Sequence, residues 1–323
     1  MWGSTYYAIA VMIETLPPLL AAGVRYALAG LLMLTFLLAR NRWRRRAGQD
    51  GAAQISRPRL VEWRTTAIVG SLLLLGGNGG VVLGEQRIPS GIAAVIIATT
   101  PIWMNVADGL LQRHAPGLLA TGGLVVGLLG VALLLYPSQG ADALDPIGIG
   151  LVVTASFSWA AGTLYARRGP LPRNQLVSSG MEMLCGGAAL LLVGTFTGEL
   201  GHADPSRFSV ASLLAVAYLV LIGSLVAFSA YVWLLSHVPI STVSTYAYVN
   251  PIVAVALGTL LRGEQITPRM LLAAALIVGA VVAMVSGRPR VSEETGPAPE
   301  AATLEREKKL EPEGSGTGAR PTA

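Results

Sequence analysis

The chain has 323 residues, 53% hydrophobic and only 13% charged, with a net charge of +5 and a mean hydropathy of +0.59. A soluble domain carries about 25% charged residues, so this composition excludes one and points to a polytopic membrane protein. A single cysteine, Cys185, excludes an internal disulfide and a cysteine metal cluster; inside an apolar run it reads as a small packing residue.

A bilayer-crossing helix needs about 20 apolar residues, and runs of this kind fall at about 1–13, 17–38, 66–84, 89–111, 116–136, 147–166, 175–197, 209–235, 239–261 and 267–286. The first, "MWGSTYYAIAVMI", is short and opens directly on Trp2, which predicts several missing upstream residues. It offers Trp2, Ser4 and Thr5 as a polar and aromatic edge, and Glu14 closes it. Span two carries Arg25 about eight residues in, and charges at such depth are the default functional candidates. Asn78 in "GGNGG" of span three reads first as close helix packing, then as cavity lining. Span four contains "IIATTPIWMN", where Pro101 has no N–H to give and should interrupt the helix. Thr99, Thr100 and Trp103 make a polar surface beside it, while Asp108 near Arg113 reads as a local ion pair.

Trp159 and Thr163 repeat that surface in span six, and Glu182 lies about eight residues into span seven. At 1.5 Å per residue, Arg25 and Glu182 are each about 12 Å deep from opposite faces of a core about 30 Å thick. They are therefore expected to pair, or to face one cavity, near the midplane; snorkelling or helix packing is the alternative. In span nine, "STVSTYAYVN", Ser241, Ser244 or Thr245, and Tyr248 recur at helical spacing. With Asn250 they favour cavity lining beside a second breaker, Pro251. Glu85 and Glu264 sit in similar turns, "LGEQRIP" and "RGEQITP"; both read as structural, and Glu264 is expected to cap a helix N-terminus. Residues beyond 287, rich in Pro, Gly and charge, read as a disordered tail.

Basic residues set the orientation. The loop after span two holds eight arginines and "ARRGPLPR" after span six holds three more, while "PSQGADALDP" has none. All the basic loops fall on one side when both termini are cytoplasmic. The arginine cluster is then a topology and headgroup signal, and no nucleic-acid partner is expected.

The two halves repeat. At a shift of 150, Pro89 falls on Pro239 and Pro101 on Pro251; at a shift of 157, Trp2 falls on Trp159, Gly23 on Gly180 and Gly30 on Gly187. Five spans per repeat put the second half into the membrane from the opposite side, an architecture that many secondary transporters use. The freed carbonyls at Ile97 and Ala247 then fall near the midplane, so the two prolines are expected to form paired kinks that shape a central cavity.

"WGSTYYAI", "TLPPLLAAGVRYALAGLLML", "GIAAVIIATTPIWMNV", "FSWAAGTLYARR" and "YVNPIVAVALGTLLRGEQIT", in this order and spacing, resemble the EamA family of the drug/metabolite transporter superfamily. The resemblance implies an all-α polytopic membrane protein with ten transmembrane helices in two inverted five-helix repeats, at 1–136 and 137–286, and a cytoplasmic tail at 287–323. It implies a multi-pass protein of the cytoplasmic membrane that moves small metabolites, often outward, such as amino-acid-like compounds or drugs. The expected partners are a small-molecule substrate and the bilayer, with a homodimer left open; no cofactor or metal is expected. The rivals are an integral-membrane lipid-modifying enzyme, which needs acid–base or metal clusters near an interface, and a channel, which needs a filter-like segment. Neither is seen in the sequence. His114, His202 and His237 fall at loop ends, and no phosphate-cradling Gly-Lys loop suggests ATP drive.

Overall fold

The computed structural model describes residues 1–46, 58–112, 118–136, 144–238, 243 and 246–286. The expected tail, Arg113, Ser241, Ser244 and Thr245, and the side chains of Asp108 and Tyr248, lie outside the described residues. Among the described residues there is no strand. In chain order the helices are α1 (Trp2–Met12), α2 (Pro18–Arg46), α3 (Leu60–Gly84), α4 (Ser90–Ile97), α5 (Thr100–Gln112), α6 (Leu118–Leu135), α7 (Pro146–Arg168), α8 (Gln175–Phe196), α9 (Val210–His237), α10 (Tyr246–Arg262) and α11 (Pro268–Ser286). Five of them, α2, α3, α7, α8 and α9, contain stretches long and apolar enough to cross a membrane. Shorter apolar helices account for Ser90–Met104, Thr121–Leu134, Val249–Arg262 and Pro268–Ala283. An apolar solvent cannot bond backbone groups, so runs of this composition satisfy them internally as helix.

Helix starts are closed by local and distant acceptors. Asn174 Oδ1 accepts from Leu176 N and Val177 N at the start of α8, and Asp145 Oδ1 from Ile147 N in α7. Glu199, after α8, reaches back to accept from Leu19 N and Leu20 N of α2. Glu264 accepts from Ser90 N at 3.1 Å, Gly91 N at 3.2 Å and Ser90 Oγ at 2.6 Å, so it caps α4 as expected. Glu85 is buried and neither carboxylate oxygen has a hydrogen-bond partner.

The helices pack in pairs: α2 along α8, α3 against α7, α4 against α10, α6 against α11, and α1 against α9 and α10. Glycines bring the α2 and α8 backbones together. A Cβ on Gly187 would lie 2.4 Å from Ala27 N, and one on Gly30 would lie 2.7 Å from Gly180 O.

Two helices depart from regular α geometry near their middles, and a third apolar run is broken. In α3 the segment Ser71–Gly79 is π-helical, and in α9 so is Leu219–Val226. Wide turns leave carbonyls to outside donors: Ser158 Oγ donates to Leu72 O at 2.8 Å, and Trp2 Nε1 to Gly223 O at 3.4 Å. Between α4 and α5 the chain breaks at Ala98 and Thr99. Thr100 Oγ1 donates to Ile97 O at 2.6 Å, supplying the bond that Pro101 cannot. Pro251 behaves differently. It lies inside α10, which runs as helix from Tyr246 to Arg262. The sequence repeat therefore produces an interrupted helix at Pro101 and a continuous one at Pro251.

Candidate functional site

A cavity of about 50 Å³, enough for a few waters, sits between α1, α2, α3, α4, α7, α9 and α10. One wall is aromatic. The Trp2 ring meets Trp159 edge-on at 5.6 Å, Tyr246 edge-on at 5.2 Å and Tyr231 at 5.0 Å between centroids. The polar handles of this wall are tied down. Trp159 Nε1 donates to Tyr231 Oη at 3.1 Å, and Tyr231 Oη pairs with Thr163 Oγ1 at 2.7 Å. Thr5 also lines the cavity, and its hydroxyl donates to Trp2 O. Ser4 lies behind the wall, its hydroxyl 2.7 Å from Tyr218 Oη.

Arg25 reaches the cavity from α2 with 2% of its surface exposed. Its Nε donates to Ser224 Oγ in the π-helical part of α9 at 3.0 Å, and its guanidinium lies 4.4 Å from the Tyr26 ring centroid. Nη1 has no hydrogen-bond partner. From the π-helical part of α3, Asn78 faces the same space with a buried, unpartnered Oδ1. Asn250 of α10 lines it too.

Glu182 is elsewhere. It is 1% exposed, accepts from Ser178 Oγ at 2.8 Å, and lines a separate cavity with Arg167, Gln175 and Ser236. Among the described residues no ion pair joins it to Arg25. The expected pairing, or shared cavity, is thus corrected: similar positions along two helices leave the direction around each axis open, and the two residues line different spaces.

The span-four residues form a packed cluster. Trp103 Nε1 donates to Ser156 Oγ at 2.9 Å and lies 3.1 Å from Thr99 Oγ1. Thr99 and Thr100 return their hydroxyls to Ile96 O and Ile97 O. None of Thr99, Thr100, Pro101 and Trp103 lines the central cavity; Ile97 does. Pro251 does not line it either.

Tyr6, Tyr26, Phe228 and Tyr246 line the cavity, and Tyr231 backs it, without having been singled out from the sequence. For Tyr246 a signal existed, since it stands four residues before Asn250 and so shares its helix face. Tyr231 in "AYVWLL" reads as an ordinary apolar stretch and gave no such signal.

Beyond the end of α3, Glu85 neighbours Glu264 and Arg262, and Arg262 also pairs with Glu14 and, at 3.8 Å, with Glu264. Burial first, then the Glu264 charge, push the Glu85 carboxyl well above its usual range, against the opposing pull of Arg262.

The EamA-like transporter family model matches residues 1–136 and 146–286. The uncharacterized inner membrane transporter YedA of Escherichia coli (strain K12) is 39% identical over 292 residues, covering 89% of this chain and 88% of its own. The uncharacterized transporter YvbV of Bacillus subtilis is 25% identical, with 87% of each chain covered. Protein PecM of Dickeya dadantii is 26% identical over 90% of this chain and 92% of its own. One solved crystal structure matches with a TM-score of 0.59 at 18% identity, over 88% of this chain and 92% of its own, a likeness of fold. The apolar helical bundle, its buried cavity and these matches together make the chain a membrane transporter belonging to the EamA-like transporter family.

Proposed function

We propose that the protein is a secondary transporter that moves small organic metabolites across the cytoplasmic membrane, outward, by alternating access of the central cavity. The observation that carries this reading is a cavity walled by aromatic side chains and lined by Arg25 and Asn78, each of which keeps one buried polar atom without a hydrogen-bond partner. Its present volume, about 50 Å³, suits a few waters, so a metabolite requires the walls to part.

Two five-helix halves of opposite orientation, 1–136 and 137–286, with both termini cytoplasmic, account for that movement. Three features support the halves: the pairing of α2 with α8, α4 with α10 and α6 with α11; the π-helical segment in α3 and again in α9; and the alternation of arginine-rich loops. In such a scheme the cavity lies where the halves meet and rocking exposes it to alternate sides.

Metabolites retained by cells with and without the protein are to be compared, and each differing compound tested in proteoliposomes. Saturable flux accelerated by the same solute on the far side is expected. Ion current without such counterflow would indicate a channel, and no flux for any compound contradicts the proposal.

A further inference from the structure

We propose that the central cavity is built to receive an organic carboxylate, with Arg25 taking the carboxylate, Asn78 a second polar group, and the aromatic wall the apolar body. This rests on the transport reading for the role of the cavity and deepens it by naming the substrate class.

A guanidinium keeps its charge in a protein and has five N–H donors to satisfy. Arg25 is almost wholly buried, with 2% of its surface exposed. Its contacts are all neutral: the Ser224 hydroxyl, the face of the Tyr26 ring, and a free Nη1. Among the described residues no carboxylate stands within ion-pair distance. Glu182 bonds Ser178 in a different cavity, and Glu85 and Glu264 lie with Arg262 beyond the end of α3. An uncompensated cation at this depth is costly. Its counter-charge therefore comes from outside the protein, and the cavity is the space that Arg25 lines.

The rest of the lining narrows the class. Asn78 offers a free acceptor, and an amide also carries donors, so it can meet a second polar group of the guest. A cationic amine would find no carboxylate in the lining and would be repelled by Arg25. A neutral amide would leave the guanidinium uncompensated. An inorganic anion would answer Arg25 but make no use of the apolar surface that Trp2, Tyr26 and Tyr246 present to the cavity. A carboxylate attached to an apolar or aromatic body answers both, because a planar guanidinium pairs a carboxylate through parallel N–H bonds.

The test uses the purified full-length protein in detergent at constant chloride. Benzoate and phenylacetate are titrated by calorimetry against their neutral counterparts, benzamide and phenylacetamide, and against benzylamine. The acids are expected to bind about tenfold to a hundredfold more tightly than the amides. Arg25→Gln should remove that preference and Arg25→Lys retain part of it. Equal binding of acids and amides, an undiminished preference in Arg25→Gln, or no saturable binding of either acid up to about 10 mM overturns the proposal. So does a chloride titration that protects the protein from thermal unfolding as well as the acids do. The acid–amide comparison needs no variant, so it stands even where Arg25→Gln fails to fold. Counterflow in proteoliposomes separates the two readings. Transport of neutral solutes alone sinks the carboxylate site and leaves the transporter; acid binding at Arg25 without counterflow of any solute does the reverse.

Discussion

Gly187→Ala tests the idea that α2 and α8 are held by backbone contact. The added Cβ would lie 2.4 Å from Ala27 N, 3.0 Å from Ala27 Cα and 3.0 Å from Gly23 O, whereas ordinary contacts begin at 3.4 Å. The shortfall of about 1 Å is against main-chain atoms, so no rotamer relieves it and one helix must move. Overpacking costs about 1–3 kcal/mol, and a clash with backbone belongs at the upper end. Alanine recovers about 1 kcal/mol of helix propensity, leaving a net loss of about 2 kcal/mol. Gly279→Ala is the control: it lies within α11 with nothing within 4 Å of the added carbon. It gains about 1 kcal/mol, so the two variants should differ by about 3 kcal/mol. Thermal unfolding of the purified protein in one detergent, followed by tryptophan fluorescence, reads the order Gly279→Ala, parent, Gly187→Ala from highest Tm to lowest. Gly187→Ala at or above the parent refutes the reasoning. So does rescue by Ala27→Gly, because the atom that is met is the amide nitrogen at 27 and not its side chain.

Three further outcomes follow from the same contacts. Thr100→Val removes the hydroxyl that stands in for the missing Pro101 N–H at Ile97 O and should lower stability by about 1–3 kcal/mol; an unchanged Tm means that this carbonyl needs no donor. Tyr231→Phe leaves Trp159 Nε1 without its acceptor and should both lower Tm and slow counterflow, with full flux contradicting a role for the wall. Glu85→Gln should flatten the pH dependence of stability. The folded state keeps a proton on Glu85 that the unfolded state releases above its ordinary value of 4.5, so stability falls as pH rises through the folded-state value. Glu264 adds to that rise and Arg262 opposes it. Between about pH 5 and pH 8 the parent should lose more Tm than Glu85→Gln, and parallel curves would show that the carboxyl is ordinary.

Helix existence and limits were legible because their causes are local. The run expected at 175–197 is found as Gln175–Phe196, where composition supplies the span and Asn174 supplies the cap. The interruption at Pro101 was legible for the same reason, since a missing N–H acts within one turn. The same argument overreached at Pro251, where the residue type is identical but α10 runs on through it. The π-helical segments of α3 and α9 left no comparable mark: "SLLLLGGNG" and "LVLIGSLV" read as plain apolar helix.

By itself the sequence determined the solvent, the helices, the position of each charge along its helix and the family pattern, because composition and a rise of about 1.5 Å per residue act along one axis. The tertiary structure decided what each side chain faces. Arg25 and Glu182 stand at matching positions of the sequence repeat, yet one lines the aromatic cavity and the other a separate space beside Arg167. Thr99 and Trp103, expected beside the cavity, are instead consumed by Ser156, while Tyr231 and Tyr246 form the wall. Successive residues turn about 100° around a helix, so direction depends on which neighbour packs where. Glycine contacts between α2 and α8 and the wide turns of α3 and α9 set that packing, and they come from parts of the chain far apart in sequence.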